Sequence, residues 1–221
     1  MTPIGLSSGS LPHATAADLA ATALGHGGSG LDLRIGKGHA WELDGVERGL
    51  SAIAAAGAEV FFTGVGARLG DPAAEIVDAP PAWPVKVFCV ERPDPGLVAE
   101  QAAGRDLWVE THAGGPDVTT LIDLAERTGV GLVLDVLGLA EIGGADRHEL
   151  AALAPHVRAA QVKGFHRTPQ GTRHRPLEPR DLEPVLAVME GTPLRCVTVE
   201  SRAGNPGADL ALLAKLLKEN T

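Results

Sequence analysis

Four short apolar segments each end on residues able to do chemistry. They read Leu-Trp-Val-Glu110-Thr-His112, Leu-Val-Leu-Asp135, Ala-Ala-Gln161-Val-Lys163 and Val-Thr-Val-Glu200-Ser-Arg202. A carboxylate that closes an apolar strand is costly to bury unless it finds a counter-charge. A divalent metal would supply one, because such ions take several carboxylates plus a neutral oxygen or nitrogen donor. Arg34, Lys163 and Arg202 would supply another, as a buried ion-pair network. Any one strand-end carboxylate also has a plainer use, as the cap of the next helix. Lys163 stands two residues after Gln161, so the two share one face of a strand. It can polarise a substrate oxygen, serve as a base if burial lowers its pKa, or pair with Asp135 or Glu110.

Two loops add further polar groups. Arg34-Ile-Gly-Lys37-Gly-His39-Ala-Trp41-Glu42 is flexible and basic. It reads as a substrate lid, with Lys37 and His39 contacting an anionic or polyhydroxylated molecule and Trp41 stacking on a sugar face. The other reading is a surface loop with Trp41 packed on a helix. No Walker pattern accompanies it, so it is not a phosphate loop. The run His166-Arg-Thr-Pro-Gln-Gly-Thr-Arg-His174, followed by Arg175, reads as a polar loop that either recognises an anion or is simply solvated.

The elements that position these groups alternate along the chain. Strands are expected near Ile4–Ser8, Gly30–Ile35, Glu59–Thr63, Val85–Val90, Asp106–Glu110, Gly131–Val136, Ala159–Lys163 and Arg195–Glu200. Helical patterns fall between them at Ala14–Leu24, Gly45–Ala56, Gly96–Ala103, Asp117–Thr128, His148–Val157, Leu182–Glu190 and Ala208–Lys218. Asp71–Val77 has room for a short helix only, before Pro80, Pro81 and Pro84. Thr15 is placed to cap the first helix, and Gly57, Gly104 and Gly129 to stop others. Apolar runs without a strict period of two suit parallel strands covered by helices. Eight such units in 221 residues, about 27 each, fit a compact (β/α)8 TIM barrel spanning residues 1–221 as a single domain. The open doubly wound sheet is the rival, but its nucleotide fingerprint does not follow the first strand. In a barrel the chemistry gathers at the C-terminal strand ends, where Glu110, Asp135, Gln161 and Glu200 all lie.

Composition narrows the function classes. Lys plus Arg is 19 and Asp plus Glu is 28, a net charge of −9. An acidic chain with no basic run argues against nucleic acid and anionic membranes as partners. No apolar run is long enough to span a bilayer. Met1–Leu11 lacks the basic start and apolar core of a signal peptide. The only two cysteines, Cys89 and Cys196, form neither a CxxC pair nor a disulfide framework. A cytoplasmic location follows as the expectation. Cys196 shares parity with Glu200 and should line the barrel interior. With no Tyr and four Phe, the core must be aliphatic, and the Ala, Gly and Arg bias looks like that of a GC-rich bacterial genome.

The order Glu110-Thr-His112, Asp135, Gln161-Val-Lys163, Glu200 resembles the xylose isomerase-like TIM barrel superfamily. Leu11-Pro-His13 and Gly30-Leu-Asp32-Leu-Arg34 resemble that family's first helix entry and acidic second strand. The resemblance implies a sugar isomerase or epimerase, with lyases and dehydratases as near neighbours. It implies one divalent ion held by Glu110, Asp135, Gln161 and Glu200, and an enediolate intermediate with Glu110 and Glu200 as proton shuttles. Gln161 stands where the family usually has His, which favours Mn²⁺ or Mg²⁺ over Zn²⁺, or else loss of the metal. Gly138 stands where many members have a second His, so the multi-zinc AP endonuclease branch is disfavoured. The resemblance further implies a polyhydroxylated small-molecule substrate met by Arg34, Lys37, His39, Trp41, His112, His166 and Arg202; barrels of that family often pair, which leaves a homodimer open. The competing function is a metal-free barrel that binds a small molecule, or a lyase or dehydratase, with the carboxylates held in ion pairs.

Overall fold

A computed structural model describes residues 2–75, 80–168, 170–192 and 194–219. Its centre is a closed barrel of eight parallel strands. These are β1 (Ile4–Ser7), β2 (Gly30–Arg34), β3 (Glu59–Leu69), β4 (Val85–Cys89), β5 (Leu107–Glu110), β6 (Gly131–Asp135), β7 (Val157–Val162) and β10 (Cys196–Val199). Each lies beside its neighbour in sequence, and β10 closes the ring by pairing Val197 with Ile4 of β1. The open-sheet alternative is thereby ruled out. Between β7 and β10 a separate antiparallel hairpin is formed by β8 (Gly164–Thr168) and β9 (Gly171–Arg175).

Helices α1 (Ala16–Gly25), α2 (Val46–Ala55), α3 (Pro95–Ala102), α4 (Val118–Thr128), α5 (Val136–Glu141), α6 (Arg147–Leu153), α7 (Glu183–Gly191) and α8 (Pro206–Glu219) cover the barrel. Their boundaries follow local chemistry. The Thr15 hydroxyl accepts from Asp18 N–H at 3.2 Å, and the Asp18 carboxylate accepts from Thr15 N–H at 3.4 Å, a reciprocal cap on α1. Gly57, Gly104 and Gly129 all have positive φ where the preceding helices stop. Each helix presents a Leu, Val or Ala stripe to the barrel, with Leu19, Ile53, Val98, Leu121, Leu153, Val185 and Leu213 fully or almost fully buried.

Three features differ from the sequence reading. Strand β3 continues to Leu69, with an irregular register against β4 between Gly64 and Arg68. Helix α5 was not anticipated; it is short and begins directly on Asp135. The polar run after β7 is the β8–β9 hairpin, although Pro169 lies outside the described residues. In the Asp71–Val77 segment, 71–75 form a turn instead of a helix, and the rest lies outside the described residues. Among the described residues no helix is long and apolar enough to cross a membrane.

The barrel interior is apolar at the bottom and polar above. Phe62, Trp108, Val133, Ala159 and Cys196 form the floor, which confirms the inward parity expected of Cys196. Trp108 fills most of it, with its ring 5.5 Å from Phe62 and the Arg195 guanidinium 5.3 Å from its centroid. The indole N–H donates to Asp106 at 2.8 Å, so its one polar atom is satisfied. Trp108→Ala should therefore open a cavity that neighbours cannot fill, at a cost of about 3–5 kcal/mol. Urea unfolding checks this, and an unchanged midpoint would show that Trp108 does not seal the floor.

Candidate active site

The upper half of the barrel carries charge in two levels. The lower level is built on Asp32 of β2, which is 1% exposed. One Asp32 oxygen accepts from Ser7 at 2.7 Å, and the other from Thr198 at 2.6 Å and from the Gln161 amide at 3.1 Å. The Gln161 carbonyl accepts from Lys86 of β4 at 2.8 Å. Lys86 also lies 2.6 Å from Oε2 of Glu110, which links this level to the mouth above it.

The mouth holds Glu110, Asp135 and Glu200 at the ends of β5, β6 and β10, all buried. The Lys163 ammonium sits between two of them, 2.5 Å from Asp135 Oδ2 and 2.9 Å from Glu200 Oε2. Arg34 pairs directly with the other Glu200 oxygen, and Arg202 stands 3.9 Å away as an exposed outer cation. Gly9, beyond β1, makes room for this pair, since a Cβ there would fall 2.9 Å from Glu200 Oε1 and 3.1 Å from Arg34.

Asp135 serves two of the uses expected of it at once. Oδ1 caps α5 by accepting from Gly138 N–H at 2.8 Å, while Oδ2 faces Lys163. Thr111 locks the strand end by accepting from Asp135 N–H at 2.8 Å and donating to its carbonyl at 2.9 Å. The tight join explains Gly138: a Cβ would fall 1.8 Å from the Thr111 carbonyl oxygen. A histidine at 138 is incompatible with this packing.

These surroundings drive the two glutamates apart. Burial, reinforced by the charges of Asp135 and Glu200, raises the Glu110 carboxyl above its ordinary range despite Lys86. Burial would raise Glu200 too, but Lys163, Lys86 and Arg34 outweigh it and hold that carboxyl at about 2. Burial opposes the Lys163 charge, yet Asp135 and Glu200 win and keep the ammonium protonated. The two ion pairs thus favour Lys163 as a cation. His112 and His174 are pushed below the usual imidazole value, chiefly by burial, and so favour the neutral form.

A cavity of about 260 Å³ opens above this cluster. Of the residues expected there, Arg34, Glu110, His112, Asp135, Lys163, Glu200 and Arg202 line it. Gln161 lies beneath it, fully buried and engaged by Lys86 and Asp32. Trp41 is not available to a sugar: it is 2% exposed and packed against Gly49 of α2. His39 is turned inward towards the Ser8 hydroxyl at 3.4 Å, outside the cavity lining. Lys37 borders a neighbouring groove with Gly66 and Arg68. The loop that carries these residues is tied down, because the Glu42 carboxylate accepts from the backbone N–H groups of Gly36, Lys37 and His39 at 2.7–2.9 Å. His166 faces solvent from β8, while His174 on β9 reaches the cavity in its place. Lys86 and His174 are the groups that sequence reasoning left out of the site. Lys86 lies in Val85-Lys86-Val87, a run that the structure buries throughout.

The carboxylate cluster has the span of a divalent-ion site. One oxygen from each of Glu110, Asp135 and Glu200 lies within 4.8 Å of the others, a span that one ion could bridge. The donors as arranged do not fit one. The Gln161 carbonyl points to Lys86, and the ammoniums of Lys86 and Lys163 already stand against all three carboxylates. Breaking a buried pair typically costs about 3–5 kcal/mol, because the surviving charge loses its partner. Lys86→Met should therefore destabilise the protein by about that much, and adding Glu110→Gln should restore most of it. Denaturant unfolding of the single and double variants checks this; a Lys86→Met protein as stable as the parent would contradict the pairing.

No family model matches the chain, and no curated protein matches it. Among solved structures it is similar to the probable 3-DHS dehydratase AsbF of Bacillus anthracis, at 15% identity over 99% of both chains with a TM-score of 0.66. It is similar to the IolI protein with a bound zinc atom, at 12% identity over 99% of this chain and 96% of that one, with a TM-score of 0.69. It is also similar to the D-psicose 3-epimerase of Clostridium cellulolyticum, at 12% identity, 99% and 95% coverage and a TM-score of 0.59. At these identities the likeness concerns the fold: the chain shares the closed eight-stranded TIM-barrel fold of these proteins.

Proposed function

We propose, from that shared fold and this site, that the barrel is an enzyme that moves a proton at the carbon beside a carbonyl in a small polyhydroxylated molecule. The observation that carries this reading is the unequal clamping of two glutamates across one cavity. Among the described residues, Glu200 is held by Lys163 and Arg34 together, whereas Glu110 is paired with Lys86 alone. Glu110 is accordingly the group that takes and returns a proton. Arg34 and Lys163, kept in place by Glu200, offer positive charge to the oxygen on which the enediolate develops. His112, Arg202 and His174 line the rim, where hydroxyls or an acidic group of the substrate would be met.

The asymmetry also bears on the reaction type. Epimerisation would use both glutamates, one ionised as base and one protonated as acid, and the lowered Glu200 and raised Glu110 suit that as well. One mobile proton suits an isomerisation, in which it leaves and returns on one face. It equally suits a dehydration, in which a neighbouring hydroxyl departs. The cavity is below the roughly 300–1,000 Å³ of drug-sized sites, which favours a compact substrate. The ion pairs also favour a second reading, a barrel that binds such a molecule without turning it over.

Incubation with a panel of aldoses, ketoses and hydroxy-ketoacids in D₂O separates the two. The enzyme reading expects substrate-dependent deuterium uptake at one carbon by NMR, falling about 10²–10⁴-fold in Glu110→Gln. Binding with no exchange would favour the second reading. Exchange undiminished in Glu110→Gln would remove Glu110 from the proton-transfer role.

A further inference from the structure

We infer that the ammonium groups of Lys86 and Lys163 together take the place and the charge of a divalent ion at the barrel mouth, so that the protein works without a metal. The four positions that would surround one ion are Glu110, Asp135, Gln161 and Glu200. Each ammonium spans two of them. Lys86 lies 2.8 Å from the Gln161 carbonyl and 2.6 Å from Glu110. Lys163 lies 2.5 Å from Asp135 and 2.9 Å from Glu200. Two unit charges held at two points thus replace a double charge held at one.

Each of the three carboxylates already lies against at least one of Lys86, Lys163 and Arg34. An ion entering the cluster would approach both ammoniums closely. Gln161 completes the arrangement. Its amide accepts from Lys86 through the carbonyl oxygen and donates to Asp32 through the nitrogen, so the oxygen that a metal would need is turned to an ammonium. Gly138, packed against Thr111, leaves no room for a side chain beside Asp135.

This inference is independent of the proton-transfer reading, because its test reads metal binding and not turnover. The full-length protein, stripped with chelator, is titrated with Mn²⁺, Mg²⁺ and Zn²⁺, with metal content and melting temperature followed together. An ion bound at a hundred times its Kd would raise the melting temperature of a chain this size by roughly 5–10 °C. The parent is expected to hold substoichiometric metal and to show no such shift. Any binding that persists unchanged in Asp135→Asn lies elsewhere and leaves the inference standing; stoichiometric binding abolished by Asp135→Asn overturns it. The double variant Lys86→Met/Lys163→Met frees all four donors and should acquire Mn²⁺ or Zn²⁺, with a melting shift of that size. If it folds and takes up no ion, the two ammoniums are not what excludes metal, and the inference fails. If it does not fold even with metal present, the parent titration decides.

Discussion

The structure at the barrel mouth depends on one constraint: no carboxylate can stay ionised there without a cation of its own. Glu110, Asp135 and Glu200 are each at least 95% buried, in a region where a stranded charge costs several kcal/mol. The fold meets this constraint by sending cations inward from other strands. Lys86 comes from β4, Lys163 from the end of β7 and Arg34 from β2. Asp32 anchors the level beneath through Ser7, Gln161 and Thr198. The barrel closure makes this network possible, because it brings β2, β4 and β10 within reach across an interior that an open sheet would not enclose.

Such a network fixes positions as much as charges. The oxygens of Asp135 are divided between helix α5 and Lys163, so the strand end and the helix start move as one piece. Glu200 cannot shift without disturbing Lys163 and Arg34 together. Glu110 is the least restrained of the three carboxylates and the one whose protonation burial favours. These restrained cations, and the one carboxyl whose protonation burial favours, are the features on which the proposed proton transfer rests. The rim is looser in composition, with Arg202 exposed and His112 resting on the Phe88 ring at 4.4 Å.

The sequence made the barrel legible because its strands are apolar on both faces and its helices are spaced evenly between them. The three carboxylates were legible too, each being the polar residue that stops an apolar run. Lys86 was not, since Val-Lys-Val-Phe-Cys also reads as an alternating strand with its lysine in solvent. Its inward parity shows only once β4 is known to be covered on its outer face. The Trp41 loop misled for a related reason. Glycines suggested flexibility, but one carboxylate, Glu42, gathers three backbone N–H groups and holds the loop still. His166 and His174 exchanged roles because the run between them folds as a hairpin, where Phe165 pairs with His174 and His166 with Arg173 on the opposite face. Gln161 takes its role from Lys86, whose ammonium its carbonyl accepts from.

The most direct test is anomalous X-ray diffraction from crystals grown with Mn²⁺. The expected map shows the Lys163 ammonium between Asp135 and Glu200, the Lys86 ammonium between Glu110 and Gln161, and no anomalous peak among them. A manganese peak in contact with Glu110, Asp135 and Glu200, with either lysine swung away, would contradict the account.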